Sequence, residues 1–311
     1  MTIAADGAGA RGEADTVDQG RIRHEGWWPA VLGDAAEPKA DVPDRDGGGI
    51  REVKSAARTV ELLELLAANR LQPMKLRELS EEMGAPRSSM YALLRTLVDR
   101  GWVRTDPTGT LYSIGIQALL AGTTYLDVDP ILRMVQPQIA NLSVQLDETI
   151  HHGRLQGNDV VYLATHESTQ YLRPISRVGR RLPAYATAMG KALLAECLHA
   201  DGEAGLVRHL PSILTPLTPS TVVDRSELRA QLEEAQRQGY AVDREENVPG
   251  IVCFAVALRF GGAHLDAISC SLPLERLQPG RQEAILHALR ATKHTLELMA
   301  PVNALHHYPG P

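Results

Sequence analysis

No stretch of this 311-residue chain approaches the roughly 20 apolar residues that a membrane-spanning helix needs, and its N-terminus lacks a basic region followed by an apolar run. A cytoplasmic protein with no membrane partner is therefore expected. Cysteine is nearly absent. Cys197, Cys253 and Cys270 stand far apart with no Cys-x-x-Cys and no Cys/His ligand spacing, and a disulfide framework is not expected in that compartment. The adjacent pairs His151-His152 and His306-His307 point their rings apart on either a strand or a helix, so no metal site is read from them. The carboxylates Glu245-Glu246 invite an acid/base reading, but no nucleophile or metal motif accompanies them and they are read as structural. Neither a metal nor an organic cofactor is expected.

What the chain does have is core material and an uneven charge. Hydrophobic residues make up 44% of it, and its length is that of about two domains. The net charge of −6 is unpromising for a nucleic-acid partner until it is divided along the chain. Residues 1–50 hold five basic and ten acidic residues, residues 51–113 ten and eight, and the remainder seventeen and twenty. Only the second segment is positive. Its excess is small, so each protomer gains little from phosphates, which favours a homodimer or homotetramer that sums several contacts.

That same segment carries a helix-turn-helix pattern. In residues 87–99, Met90, Leu93, Leu94, Leu97 and Val98 recur with the period of one buried helical face. The opposite face holds Ser88, Ala92, Arg95 and Asp99, flanked by Ser89 and Tyr91. Short side chains with one long cation fit a major groove and donate to phosphates and base edges. Leu76, Leu79 and Met83 stripe a preceding helix, and Gly84 with Pro86 separates the two. Gly101 ends the second helix. Trp102-Val103-Arg104 then reads as a strand, Asp106-Pro107-Thr108-Gly109 as a turn and Thr110-Leu111-Tyr112 as the returning strand of a wing. Ser55 is placed to cap a further helix over Ala56–Asn69. A plain structural hairpin also shows two amphipathic helices and a turn, and the wing is what separates the two readings.

Residues 1–50, rich in Gly, Ala and Asp, read as a disordered tail whose one apolar point is Trp27-Trp28-Pro29. After the wing, residues 114–125 and 129–146 read as helices, the second capped by Asp129 and kinked or divided at Pro137. These helices have apolar residues to spare for a subunit contact or for packing within the chain. Strands are expected over Thr149–Gln156, Val160–Thr165, Tyr171–Val178, Ile251–Arg259 and Ala263–Leu272, and helices over Ala186–Leu198, Ser226–Gln238 and Arg281–Met299. Strand runs interrupted by helices give an α+β domain with an antiparallel sheet.

Several segments, taken in order, resemble the IclR family of bacterial transcriptional regulators over about residues 52–300. They are Lys54-Ser55-Ala56-Ala57-Arg58, Gly84-Ala85-Pro86-Arg87-Ser88-Ser89, Leu111-Tyr112-Ser113-Ile114-Gly115, Gly179-Arg180-Arg181-Leu182-Pro183 with Ala188-Met189-Gly190-Lys191-Ala192, Gly239 to Glu246, and Gly250-Ile251-Val252-Cys253. The resemblance implies a winged helix-turn-helix over 51–113, a linker helix over 114–128, a GAF-like effector-binding domain over 129–300 and a tail over 301–311. It implies a dimer, often paired into a tetramer, on a double-stranded DNA operator that Arg58, Arg87, Ser88, Ser89, Tyr91 and Arg95 face. Arg87-Ser88-Ser89 stands where the family more usually has Lys, then Ser or Thr, then Thr, so the operator sequence does not transfer.

The resemblance also implies a small acid effector, carboxylic, sugar or aromatic, lying on Tyr171, Leu182, Ala188, Met189, Asp243, Cys253, Ser269 and Ser271. Ser269 and Ser271, two apart on a strand, share a face, and the free N–H groups that begin the helix at Ala188 and Met189 suit an anion. Asp243 is better placed to receive a ligand hydroxyl. Cys253 and Met189 are equally compatible with an ordinary core. Arg173, Arg177, Arg180 and Arg181 suit an anion site or a solvated, intersubunit salt-bridge role. The alternatives to an effector-controlled regulator are an enzyme acting on a small acid with an appended winged helix, and a winged helix that binds only protein.

Overall fold

The computed structural model describes residues 53–69, 72–174, 177–260 and 266–300. The expected tails, the Gly261-Gly262 turn and His306-His307 lie outside these residues. The N-terminal elements are α1 (Lys54–Ala68), α2 (Leu76–Glu82) and α3 (Arg87–Asp99), with β1 (Met74–Lys75), β2 (Val103–Thr105) and β3 (Leu111–Ile114) forming an antiparallel sheet in the order β1-β3-β2. Leu62 and Leu66 of α1, Leu79 of α2, and Met90, Leu94 and Leu97 of α3 close one core over Val103 and Tyr112. The period of α3 thus does what its sequence required. Ser55 does not cap α1. The helix begins one residue ahead of it, after Val53, and the Ser55 carbonyl accepts from Thr59 Oγ1 at 2.7 Å. β1 was not foreseen, because two residues carry no alternation to read.

The wing turn is held by one carboxylate. Asp106 accepts from the backbone N–H groups of Thr110 and Leu111, each at 2.9 Å, and Gly109 takes φ +70° to close the turn. Hydrogen bonds, first from the Thr108 hydroxyl and then from the Leu111 backbone, hold the Asp106 carboxyl down at about 2.

α4 (Ile116–Val128) leads to α5 (Pro130–Leu146), whose Asp129 cap accepts from Leu132 N at 2.9 Å. Pro137 neither ends nor divides α5. The carbonyl it leaves free belongs to Arg133, and both residues face solvent, so no unpaired carbonyl is buried. Then follow β4 (Thr149–Gln156), β5 (Asp159–His166), β6 (Arg181–Pro183), α6 (Ala188–Asp201), α7 (Glu203–Val207), α8 (Arg225–Gln238), β7 (Ala241–Arg244), β8 (Ile251–Leu258), β9 (Asp266–Pro273) and α9 (Arg281–Met299). The sheet order is β6-β5-β4-β9-β8-β7, antiparallel throughout. α5 and α9 cover one face, where Ile150, Phe254 and Ile268 meet Ile139, Ile285 and Leu289. Each such apolar side chain contributes about 1.5–3 kcal/mol by leaving water. α6 and α8 cover the other face.

Among its described residues, the expected strand Tyr171–Val178 does not form. Its described residues belong to a loop in which Arg173 pairs with Glu167 at 2.9 Å, and the edge strand is β6 instead. β7 was unforeseen, being four residues long.

Candidate functional site

On α3, Arg87, Ser88, Ser89, Tyr91 and Arg95 are all exposed, opposite the buried Met90, Leu94 and Leu97. Arg95 Nε lies 3.2 Å from Asp99 Oδ1, one turn on, with both side chains more than half exposed. Asp99 and then Tyr91 hold the Arg95 guanidinium upward in pKa and aim it along the same helix face. Arg58 of α1 is half-buried.

Strand register assembles the second site. Asp243 on β7 pairs with Cys253 on β8, Cys253 with Ser271 on β9, and Ser271 with Thr149 on β4. One step along, Ala241, Ala255, Ser269, His151 and Thr165 make a second row. Because side chains alternate along a strand, both rows face α6. A register shift at His152/Gly153 then brings Tyr162 of β5 opposite Gly153 on this face. The result is a polar floor within an apolar domain, with Met189 of α6 across it. A Cβ at Gly153 would lie 2.6 Å from Val160 Cγ1 and 3.1 Å from Met189 Cε, so only glycine admits this approach.

Burial governs the chemistry of the floor. It pushes the Asp243 carboxyl up to about 7, against the pull of Lys191 and of the Glu246 N–H, which donates to Asp243 Oδ1 at 2.7 Å. It pushes the Cys253 thiol up as well, so Cys253 is a neutral thiol, 3.0 Å from Ser271 Oγ, and no nucleophile. Lys191, buried on α6, pairs with Glu246 and donates to Gln231 Oε1 at 3.0 Å. The structural reading of Glu246 therefore fits its position. Glu245 Oε2 accepts from Gly250 N at 2.8 Å.

The register brings Asp243, Cys253, Ser269 and Ser271 together, with Ala188 and Met189 in the layer that covers them and Leu182 packed against the same core from β6. Tyr171 is not among them. Its side chain is fully exposed in the loop that replaces the expected strand. The floor residues that sequence reasoning passed over include Thr149, His151, Tyr162 and Thr165. Only the period-two alternation of β4 could have found His151. A cavity of about 180 Å³ between α7 and α8, lined by Glu203, Leu206, Leu210, Arg225, Leu228 and Arg229, includes none of the floor.

The neighbouring His152 turns to the opposite face. There Arg154 Nε and Nη2 donate to the two oxygens of Asp266 at 2.6 and 2.8 Å, while Nη1 donates to Asp129 Oδ2 at 2.6 Å and to the Tyr125 hydroxyl at 2.8 Å. His152 Nε2 lies 3.0 Å from Asp266 Oδ2. Burial alone would raise the Asp266 carboxyl, but the Arg154 and His152 hydrogen bonds outweigh it and hold it at about 2. One guanidinium thus ties the last turn of α4 and the cap of α5 to β4 and β9.

A winged helix with an exposed polar recognition face, joined by a helix to a sheet with a covered polar floor, defines a DNA-binding transcriptional regulator. Residues 55–107 match the family described as the IclR helix-turn-helix domain, and residues 123–297 the one described as bacterial transcriptional regulator IclR C-terminal. The chain belongs to the IclR family. It is 35% identical over 253 residues to the HTH-type transcriptional regulator Rv1719 of Mycobacterium tuberculosis, spanning 81% of this chain and 93% of that protein. It is 33% identical to the HTH-type transcriptional regulator XynR of Escherichia coli, spanning 66% of this chain and 79% of that one. Among solved structures, the repressor BlcR of Agobacterium tumefaciens matches with a TM-score of 0.50 and 26% identity, covering 80% of this chain and 97% of that one. The family decides among the three readings of the sequence: the protein is a DNA-binding transcriptional regulator.

Proposed function

We propose that the protein is a repressor whose operator binding is controlled by a small organic acid held on the α6 side of the sheet. Residues 51–113 bind DNA, 114–128 link, and 129–300 bind the effector, and the protein acts in the cytoplasm. The observation that carries this reading is the polar floor itself, because gathering buried Asp, Ser and His side chains on one sheet face is costly in an otherwise apolar core. The effector enters by displacing Met189, whose unbranched side chain adapts readily. Repression accords with relatives such as the HTH-type transcriptional repressor AllR of Klebsiella pneumoniae, 31% identical over 66% of this chain. Titrating the purified protein against its own upstream intergenic DNA, with and without a panel of carboxylic acids, tests the whole reading. Release by one class of acid supports it, and indifference to every acid sinks it.

DNA is contacted by α3. Arg95→Ala is expected to weaken operator binding about tenfold and to lower the salt dependence by about one phosphate contact, with acid affinity unchanged. An unaltered salt slope in a filter-binding titration would remove Arg95 from the interface.

Two protomers join through α4, which buries no residue within the chain and exposes Ile116, Leu119, Leu120 and Val128. Apolar surface of this kind marks an interface between copies. The double variant Leu119→Glu/Leu120→Glu is expected to run as a monomer in light scattering and to lose at least about tenfold in operator affinity, since only one half-site remains engaged. Effector binding shifts the spacing of the two α3 helices through β4 and the Arg154 contacts to α4 and α5.

A further inference from the structure

The positive charge of residues 51–113 is not spread evenly over them. Residues 51–86 hold six basic and six acidic residues, whereas residues 87–113, which make α3 and the wing, hold four basic and two acidic. The whole excess therefore sits on the elements that face DNA. Both acids there are engaged, Asp99 with Arg95 and Asp106 with the backbone of its own turn. Arg87, Arg100 and Arg104 are exposed and form no ion pair among the described residues, and Arg104 Nε donates to Ser113 Oγ at 3.0 Å. The opposite charge lies close by in the chain. Residues 34–46 hold five acids, Asp34, Glu37, Asp41, Asp44 and Asp46, against two bases, Lys39 and Arg45, which leaves a net charge of −3. Asp46 is seven residues before Val53, where the described chain begins. Seven residues reach at most about 24 Å. A unit of 63 residues has a radius of gyration of about 11 Å, so that length is close to its diameter. A segment tethered so near its target stands at an effective concentration on the order of millimolar.

We propose that residues 34–46 are an intramolecular competitor of DNA: their carboxylates occupy the free cations of α3 and the wing, and a duplex must displace them to bind. This rests on α3 as the DNA face and goes beyond it by giving that face a second occupant within the chain. Carboxylate and phosphate oxygens present the same acceptors to a guanidinium, so Arg87, Arg100 and Arg104 pair with either. The two occupants differ in charge density. The segment brings a net charge of −3 to a net charge of +2, whereas a duplex offers one phosphate charge about every 1.7 Å along its axis. DNA therefore prevails, and the segment weakens binding without abolishing it. Displaced carboxylates recapture counterions, which offsets part of the release from DNA and makes the salt dependence shallower with the acidic segment than without it.

The test is fluorescence anisotropy of the full chain on a labelled duplex of unrelated sequence, so that no operator need be known. Asp41→Asn/Asp44→Asn/Asp46→Asn brings residues 34–46 to zero net charge. It is expected to tighten binding about three- to tenfold at about 50 mM salt, with a steeper salt dependence that narrows the difference to within about 1.5-fold by about 300 mM. The matched variant Glu227→Gln/Glu275→Gln/Glu283→Gln removes three exposed acids from the effector domain. It is expected to change affinity by less than about 1.5-fold, since screening confines the influence of a charge to about 10 Å. Unchanged or weaker binding in the first variant overturns the proposal. So does equal tightening in the second, which would make overall net charge the cause. Arg100→Ala/Arg104→Ala, added to the parent and to the first variant, keeps failure of the proposal apart from failure of the DNA face. The double change is expected to weaken duplex binding more in the neutralised chain than in the parent, where the segment already occupies those cations. Equal loss in both overturns the proposal and leaves the DNA face standing, and no loss in either overturns both.

Discussion

Replacing Arg154 with methionine is expected to destabilise the protein by about 3–5 kcal/mol, the effect of stranding buried charge. The guanidinium is the partner of both Asp129 and Asp266, and all three side chains are at least nine-tenths buried. Removing it leaves two carboxylates in an apolar layer, with His152 as the remaining neighbour of Asp266. It also removes the hydrogen bond that joins the Tyr125 hydroxyl of α4 to the sheet. In a domain of this size each kcal/mol moves the melting temperature by roughly 2–4 °C, so a fall of about 10 °C is expected in calorimetry. Neutralising the partners as well, in Arg154→Met/Asp266→Leu/Asp129→Asn, is expected to recover much of the loss, because Asn still caps α5 and no charge is left unpaired. The two variants separate two roles. If Arg154 also transmits the effector signal, the repacked variant folds and binds operator but no longer releases it with acid. A melting temperature within about 2 °C of the parent for Arg154→Met would show that water reaches the carboxylates and that the ties are weak.

Raising the pH from about 4 to about 7 is expected to lower stability through Asp243. Its carboxyl is at about 7 in the folded protein against an ordinary value of 3.8, burial being the cause. Between these values the folded state binds more protons at this group than the unfolded state does. Stability conferred by the protonated form is therefore complete below the unfolded value and is lost as pH rises through the folded one. At about 1.4 kcal/mol per pH unit the total is on the order of 4 kcal/mol. Other groups titrate in the same range, so the measurement is the difference between the protein and Asp243→Asn in urea unfolding across pH 4–8. Asn is neutral throughout and is expected to abolish this part of the slope. Parallel pH profiles would mean that Asp243 is ionised in the folded protein, held there by Lys191.

The elements that were legible in the sequence are those with a long, regular period. α3 shows a full apolar stripe over 13 residues, and α9 runs over Arg281–Met299 as its pattern indicated. Short elements were not legible: β1 with two residues and β7 with four offer too few alternations. The segment from Tyr171 alternates like a strand, but its described residues pair with no strand, and Arg173 bonds locally to Glu167 instead. Pairing, and not propensity, decides a strand. Of the site, the Ser269 and Ser271 face followed from period two alone. Tyr162 did not, because the extra residue in β5 that turns it toward the floor is a property of the pairing. The Arg154 contacts join residues 25 and 112 positions apart, a separation that no local pattern encodes.

The two adjacent histidines of β4 make parity an inherited constraint. His151 belongs to the floor and His152 to the Arg154 contacts, and only the alternation of a regular strand assigns them so. The extra residue that bends the sheet here is carried by β5, which leaves β4 in step along both of its edges. An insertion or deletion of one residue ahead of His151 would exchange the two rings between the faces, turn Arg154 into the effector chamber and bring an apolar neighbour against Asp266. A change of two residues would preserve the assignment. Descendants of this sequence can therefore lengthen β4 only in even steps.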